Sequence, residues 1–128
     1  MDQDYIDSMW ERAVSTLEGA KTNLDRYPDI AANRAYYAAF FAVSALFAID
    51  GTYFKRHSGL RSAVHKELVH SGQWPKELGG DYDKLIELRE TADYGAVLHA
   101  SAEEAAEAIA RAKRILRAVR EARPDIFR

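Results

Sequence analysis

Apolar residues recur every three or four positions over most of this chain, the period of an amphipathic helix. Ile6, Trp10, Ala13, Leu17, Ala20 and Leu24 form one such face and predict a first helix over about Asp4 to Tyr27. Pro28 breaks it and suits the entry of the next, over about Asp29 to Ile49. That second segment is apolar nearly all round. Ala31, Ala32, Ala35, Ala38, Ala39, Ala42 and Ala45 alternate with Tyr37, Phe40, Phe41, Leu46 and Phe47, which predicts a helix enclosed by others. Asp50-Gly51 closes it. The stripe Leu60, Val64, Leu68 predicts a third, shorter helix over about Gly59 to Ser71, capped by Ser58 and closed by Gly72. The segment QWPKELGG reads as a loop, and the fourth helix is expected from about Asp81 to Tyr94, stopping at Gly95. Ser101 with Glu104 forms a capping box for a fifth, running to about Ala122 before Pro124. This fifth segment is acidic early and basic late, in the sense the helix dipole favours. No repeat or linker interrupts the pattern, so residues 1–128 are expected to form one domain, an all-α up-and-down four-helix bundle with an additional short helix.

Composition narrows the function classes. A net charge of −2 gives no global basic field of the kind a general nucleic-acid binder carries. Cysteine is absent, which removes disulfides and thiol catalysis. The acidic start MDQDYIDS lacks the apolar core of a signal peptide, and the run AYYAAFFAVSALFAI is short of the ~20 residues a bilayer span needs. A cytoplasmic protein with no membrane association is therefore expected.

Common catalytic signatures are missing: there is no phosphate-binding glycine loop and no nucleophile elbow. In HKELVH the histidines, His65 and His70, are five apart, about 140° around an α-helix, so they read as surface residues rather than metal ligands. No metal and no cofactor is expected. Lys55, Arg56, His57, Arg61, His65 and Lys66 form a local basic cluster, read chiefly as a solvated face with phosphate binding as the alternative.

Two arginines fall on apolar stripes. Arg34 shares a face with Ile30, Tyr37 and Phe41, and Arg89 follows Tyr82, Leu85 and Ile86, with Asp93 one turn later. Both are expected to be shielded from water and partnered, since buried charges need partners. Asp93 can pair with Arg89 at i,i+4, and Asn33, Tyr36 and Tyr37 supply further polar atoms. Two readings stay open: a polar cluster fixing helix register, or a phosphate-handling site shared by the second and fourth helices.

The blocks NRAYYAAFFAVSALF (33–47), KRHSGLRSAVHKELVHSG (55–72) and YDKLIELRETADYG (82–95), in this order, resemble the HEPN domain superfamily, and within it the stand-alone UPF0332-like branch. The resemblance covers about residues 5 to 120. It implies a helical bundle that forms a homodimer and works with a minimal nucleotidyltransferase in a toxin–antitoxin pair. Many such proteins are metal-independent ribonucleases whose site is an arginine followed a few residues later by a histidine, assembled in the dimer. Others only bind substrate or nucleotide. By this resemblance Arg89 is the motif arginine and Tyr94 stands where the histidine would be. The implied catalytic set is Arg89, Asp93 and Tyr94; the pairs Asn33-Arg34 and Tyr36-Tyr37 match the branch's second-helix block, and the phosphate-handling reading of the residues themselves puts Asn33, Arg34, Tyr37 and His57 on an RNA or nucleotide phosphate. A degenerate motif implies weak or absent ribonuclease activity in the isolated protein, with Tyr94 as an acceptor for modification by the nucleotidyltransferase. The other readings are a non-catalytic substrate- or nucleotide-binding dimer and a purely structural one.

Overall fold

The long apolar helix is the axis around which the other elements pack. In a computed structural model, which describes residues 1–93 and 99–128, it is α2, Pro28–Ala48. Before it comes α1, Gln3–Asn23; after it come α3, His57–Ala63, then α4, Lys76–Asp93, and α5, Ala102–Ala122. Helices α1, α4 and α5 all pack on α2, so the described residues form the expected all-α bundle with one short extra helix. Alanines bring the backbones close: Ala31, Ala35, Ala38, Ala39, Ala42 and Ala45 are fully buried. By length and hydropathy α2 is the one described helix that passes the test for crossing a membrane, but 67% of its most apolar window is buried inside the bundle. It is 21 residues long, more than the apolar run alone, because Pro28 starts it about two turns earlier.

The ends of α2 and α5 and the start of α1 fall close to their expected positions, while α1 stops at Asn23, four residues before the expected Tyr27. Asp2 caps α1 through the Tyr5 backbone N–H, and Ser101 with Glu104 makes the reciprocal capping box on α5. Three local expectations need correction. Ser58 is not a cap: α3 begins at His57, its N-cap is Arg56, and no side chain caps it. Nor does α3 continue as an α-helix, since Val64–Val69 is a π turn in which the His70 N–H donates to the His65 carbonyl at 2.8 Å. The 140° separation of His65 and His70 therefore does not apply; His65 turns to the Asp83 carboxylate at 2.9 Å, while His70 is exposed.

The third correction concerns α4, which starts at Lys76, five residues before its expected start at Asp81. The pair Gly79-Gly80 is inside the helix. A Cβ on Gly79 would lie 2.9 Å from Val69 Cγ2 and 3.0 Å from the His65 ring. This glycine is there because the π turn approaches the α4 backbone, not to make a loop. Trp74 is also folded inward, 4% exposed, so it offers no apolar surface to a second subunit; Phe54 is half-buried and Tyr53 exposed. The end of α4 expected at Tyr94-Gly95 lies outside the described residues.

Two ionic ties hold α4 in place. Asp81, buried, accepts from Arg111 at 2.7 Å and from Arg114 at 2.9 Å across to α5. Asp83 accepts from Arg61 Nε at 3.0 Å and bonds His65 on the other side. At the far end, Asp29 on α2 bonds His99 Nδ1 at 2.7 Å and the Ala100 N–H at 2.6 Å. His99 is thus one arm of the fastening between the approach to α5 and the start of α2.

Candidate functional site

The Tyr36-Tyr37 pair of α2 is the floor on which the site is built. Adjacent residues on a helix point about 100° apart, so one ring faces inward and the other outward. Tyr36 is 1% exposed and Tyr37 half-buried, with the rings edge-on at 5.0 Å. From α4 the Arg89 guanidinium lies over the Tyr36 ring at 4.7 Å and within 5.9 Å of the Tyr37 ring. Its Nη1 donates a long bond, 3.4 Å, to the Tyr37 hydroxyl. The aromatic faces attract the cation, and a guanidinium, weakly hydrated, tolerates such a wall better than an ammonium would.

Asp93 forms the i,i+4 ion pair with Arg89 that the spacing implies, but a long one without a hydrogen bond. Its Oδ2 is 3.9 Å from Arg89 Nε, too far for a hydrogen bond, and its Oδ1 instead accepts from Asn33 Nδ2 at 2.9 Å. Among the described residues, Arg89 Nε is buried with no partner. Burial opposes the Arg89 charge, but the Tyr37 hydroxyl bond, the phenols and Asp93 outweigh it, and the net shift in pKa is upward. The cation is fixed, 22% exposed and short of acceptors.

Arg34 is a correction of a different kind. It is exposed rather than shielded, and it donates through Nε and Nη2 to its neighbour Asn33 Oδ1, at 3.0 and 2.7 Å. Its guanidinium lies 5.2 Å from the outer face of Tyr37. The helix turns the side chain out at the rim because the second half of α2, not its first turns, is enclosed on all sides. Arg34 and Arg89 thus flank one tyrosine, a second cation beside the first.

His57 enters from α3. Its Nδ1 is 3.0 Å from the Tyr36 hydroxyl, and its ring lies 4.5 Å from Phe40 and 5.7 Å from Tyr37. Burial of its inner edge, then the Arg89 charge, push its pKa below the ordinary histidine value. Burial also raises the Tyr36 hydroxyl, and more strongly that of Tyr82, whose ring is 6.0 Å from Tyr36, so both stay protonated near neutral pH.

Of the residues expected at a site, Arg89, Asp93, Asn33, Arg34, Tyr37 and His57 are connected through these contacts. Tyr94 lies outside the described residues. Arg61 and His65 of the basic cluster are tied to Asp83, while Lys55 and Arg56 are exposed on the loop and N-cap before α3. Tyr36, named in the sequence as a source of polar atoms, proves to be the residue that touches both Arg89 and His57. Its sequence signal is only the Tyr-Tyr doublet, and its role depends on two other helices meeting over it.

The geometry is an arginine held by aromatic rings at the meeting of α2, α3 and α4. The HEPN domain family model matches residues 6–122. The chain belongs to the HEPN domain family. A UPF0332 protein of Thermotoga maritima is 36% identical over 129 residues, covering 99% of this chain and 98% of its own length. The Methanocaldococcus jannaschii protein "Putative toxin MJ0142" is 32% identical over 102 residues, 78% of this HEPN chain and 69% of its own.

Proposed function

We propose that this HEPN protein is the toxin-like member of a two-protein module, and that the Arg89 site receives a phosphate of RNA or of a nucleotide. The observation that carries the reading is the Arg89 cation, held by Tyr36 and Tyr37 with no carboxylate within hydrogen-bond distance among the described residues. A register-fixing arginine would be closed by a carboxylate, as Arg111 is by Asp81. An arginine with unused donors, partly open to water, instead suits a planar or tetrahedral oxyanion. The exposed Arg34 adds a second positive group at the rim, and His57 a ring nitrogen opposite. The relative named as a toxin supports the biological direction of the reading.

The module has two further parts. The protein acts as a homodimer, and a minimal nucleotidyltransferase binds it and modifies it, with Tyr94 as the acceptor. Both parts rest on the family resemblance, and a cytoplasmic setting goes with them. Light scattering at micromolar concentration tests the first and should give about twice the 14.4 kDa chain mass; a monomer at every concentration refutes it.

The test of the site is binding of a fluorescent single-stranded RNA oligonucleotide across a salt series. Binding should weaken with salt, as phosphate contacts do, and fall at least tenfold in Arg89→Ala. Expression should slow bacterial growth, and Arg89→Ala should relieve it. RNA affinity and toxicity that are both unchanged in Arg89→Ala would defeat the reading.

A further inference from the structure

We propose that His57 is the proton-transferring residue of this site, facing the same RNA phosphodiester that Arg89 binds. The inference deepens the functional reading above and rests on it. The HEPN ribonuclease motif puts its histidine after the arginine on one helix; here the imidazole comes from the opposite wall, at the first residue of α3.

Three features of the placement carry this. Tyr36 is common to both groups: its ring carries the Arg89 guanidinium at 4.7 Å and its hydroxyl bonds His57 Nδ1 at 3.0 Å. The imidazole is oriented, because Phe40 packs on it at 4.5 Å while Tyr36 holds one ring nitrogen. Finally, His57 is exposed as a residue while Nδ1 is the nitrogen that is held. Holding one nitrogen to free the other is how a histidine base is normally positioned.

The groups around the ring keep it neutral. Tyr36 and Tyr37 face it from α2, Arg89 and Tyr82 stand behind Tyr36 on α4, and Arg61 follows one turn along its own helix. No carboxylate bonds the ring among the described residues, so nothing stabilises the imidazolium. Burial and the Arg89 charge both favour the uncharged base near neutral pH.

The step is written on the substrate ribose. Nδ1 keeps its proton and donates a hydrogen bond to Tyr36 Oη. Nε2 takes the proton of the 2′-hydroxyl while O2′ bonds to phosphorus. The P–O5′ bond breaks, O5′ leaves with the bonding pair and takes a proton from water, and His57 returns its proton to solvent. Arg89 faces the charge that builds on the phosphoryl oxygens. The products are a 2′,3′-cyclic phosphate and a 5′-hydroxyl, and no metal ion enters the balance.

The experiment incubates the full chain with a single-stranded RNA oligonucleotide in chelator and measures cleavage rate, RNA affinity and circular dichroism together. The wild type should cleave, and His57→Gln should lose about 10²- to 10⁴-fold in rate, the usual worth of a proton-transfer group. RNA affinity in that variant should stay within about threefold, because Arg89 is untouched. The wild-type rate should fall as pH drops below the ordinary histidine range, a limb that His57→Gln lacks. Added imidazole should restore part of the rate of His57→Ala, and Tyr36→Phe, which keeps the ring and removes the bond to Nδ1, should move the acid limb. Cleavage that is lost in Arg89→Ala but unchanged in His57→Gln overturns the His57 assignment and leaves the site reading intact. A wild type that binds RNA through Arg89 without cleaving it also overturns the assignment, leaving a binding site only. Absence of Arg89-dependent binding and cleavage together removes both.

Discussion

Replacing Arg89 with methionine tests whether that arginine is there for the fold or for a ligand. Methionine keeps an unbranched stem of similar reach and discards the charge. The losses are the stacking of the cation on Tyr36 and, more weakly, Tyr37, about 0.5–1 kcal/mol at a partly shielded position. The 3.4 Å bond to Tyr37 and the 3.9 Å approach to Asp93 add about 0.5 kcal/mol or less each, since one is stretched and the other half-exposed. Against these stands the buried Nε with no partner, whose removal relieves about 1–3 kcal/mol. The new sulfur also gains from the aromatic rings, about 0.3–1.5 kcal/mol. The gains outweigh the losses by roughly 1–2 kcal/mol at mid-range, so Arg89→Met should be no less stable than the wild type. Urea unfolding followed by circular dichroism reads this directly; with a slope of about 1–3 kcal/mol per molar, the midpoint should hold or rise. RNA binding should be lost in the same preparation. A stability loss of about 3 kcal/mol or more, the range of a broken buried ion pair, would make Arg89 a register residue and refute the site argument.

The same unfolding assay checks three further expectations. Asp81→Ala strands Arg111 and Arg114 between α4 and α5 and should cost about 2–4 kcal/mol, below the full buried-pair penalty because Arg111 keeps Glu107 and Arg114 is half-exposed; a loss under 1 kcal/mol would show the tie to be incidental. Adjacent glycines should respond with opposite signs. Gly80→Ala meets open space and should stabilise by about 0.5–1 kcal/mol through helix propensity, whereas Gly79→Ala forces a methyl against Val69 and His65 and should destabilise by about 1 kcal/mol net. Acidification should also weaken the fold through His57. Its folded pKa lies below the ordinary value of about 6.5, so the unfolded chain takes up the proton first. The contribution is complete above that value and is lost as pH falls toward the folded pKa. His57→Gln should remove this part of the acid dependence, and an unchanged pH–stability curve in that variant would contradict it.

The helices were legible where one period ran unbroken, and obscured where a residue served a neighbour rather than its own element. Ile6 to Ala20 and the Ser101 box could be read because every cue lay within one segment. The start of α4 was hidden because Gly79 is the footprint of Val69, a residue ten positions earlier that local pattern cannot relate to it. Arg34 illustrates a second limit: a stripe of apolar residues says which side of a helix it shares, not how far along that side the cover extends. The site was half legible. Arg89 stood out as a charge on an apolar stripe, and the helix spacing offered Asp93 as its partner. What periodicity could not supply was the further partners, with Asp93 also accepting from Asn33 and the aromatic pair packing on Arg89. His57 could be picked out of a basic cluster, but its bond to Tyr36 joins residues 21 apart and needs the fold to be seen.

The π turn at Val64–Val69 amounts to a helix that carries one residue more than its neighbours need. Such a turn is an insertion that has been kept. Removing a single residue from it would let the segment relax to ordinary α-helical winding without breaking the chain's path. Leu60 upstream and the residues beyond the turn would keep their angular places, because the wide turn already absorbs the extra residue. What would go is the bulge itself, and with it the close pass of His65 and Val69 over Gly79. The stretch is therefore a phase adjuster between two rigid pieces. Upstream of it the winding serves His57 and the site; downstream it serves the seam with α4. A one-residue deletion there would leave the wall that holds His57 in step while removing the bulge that meets α4 at Gly79. That separates the geometry of the site from the geometry of the seam by a change of one codon.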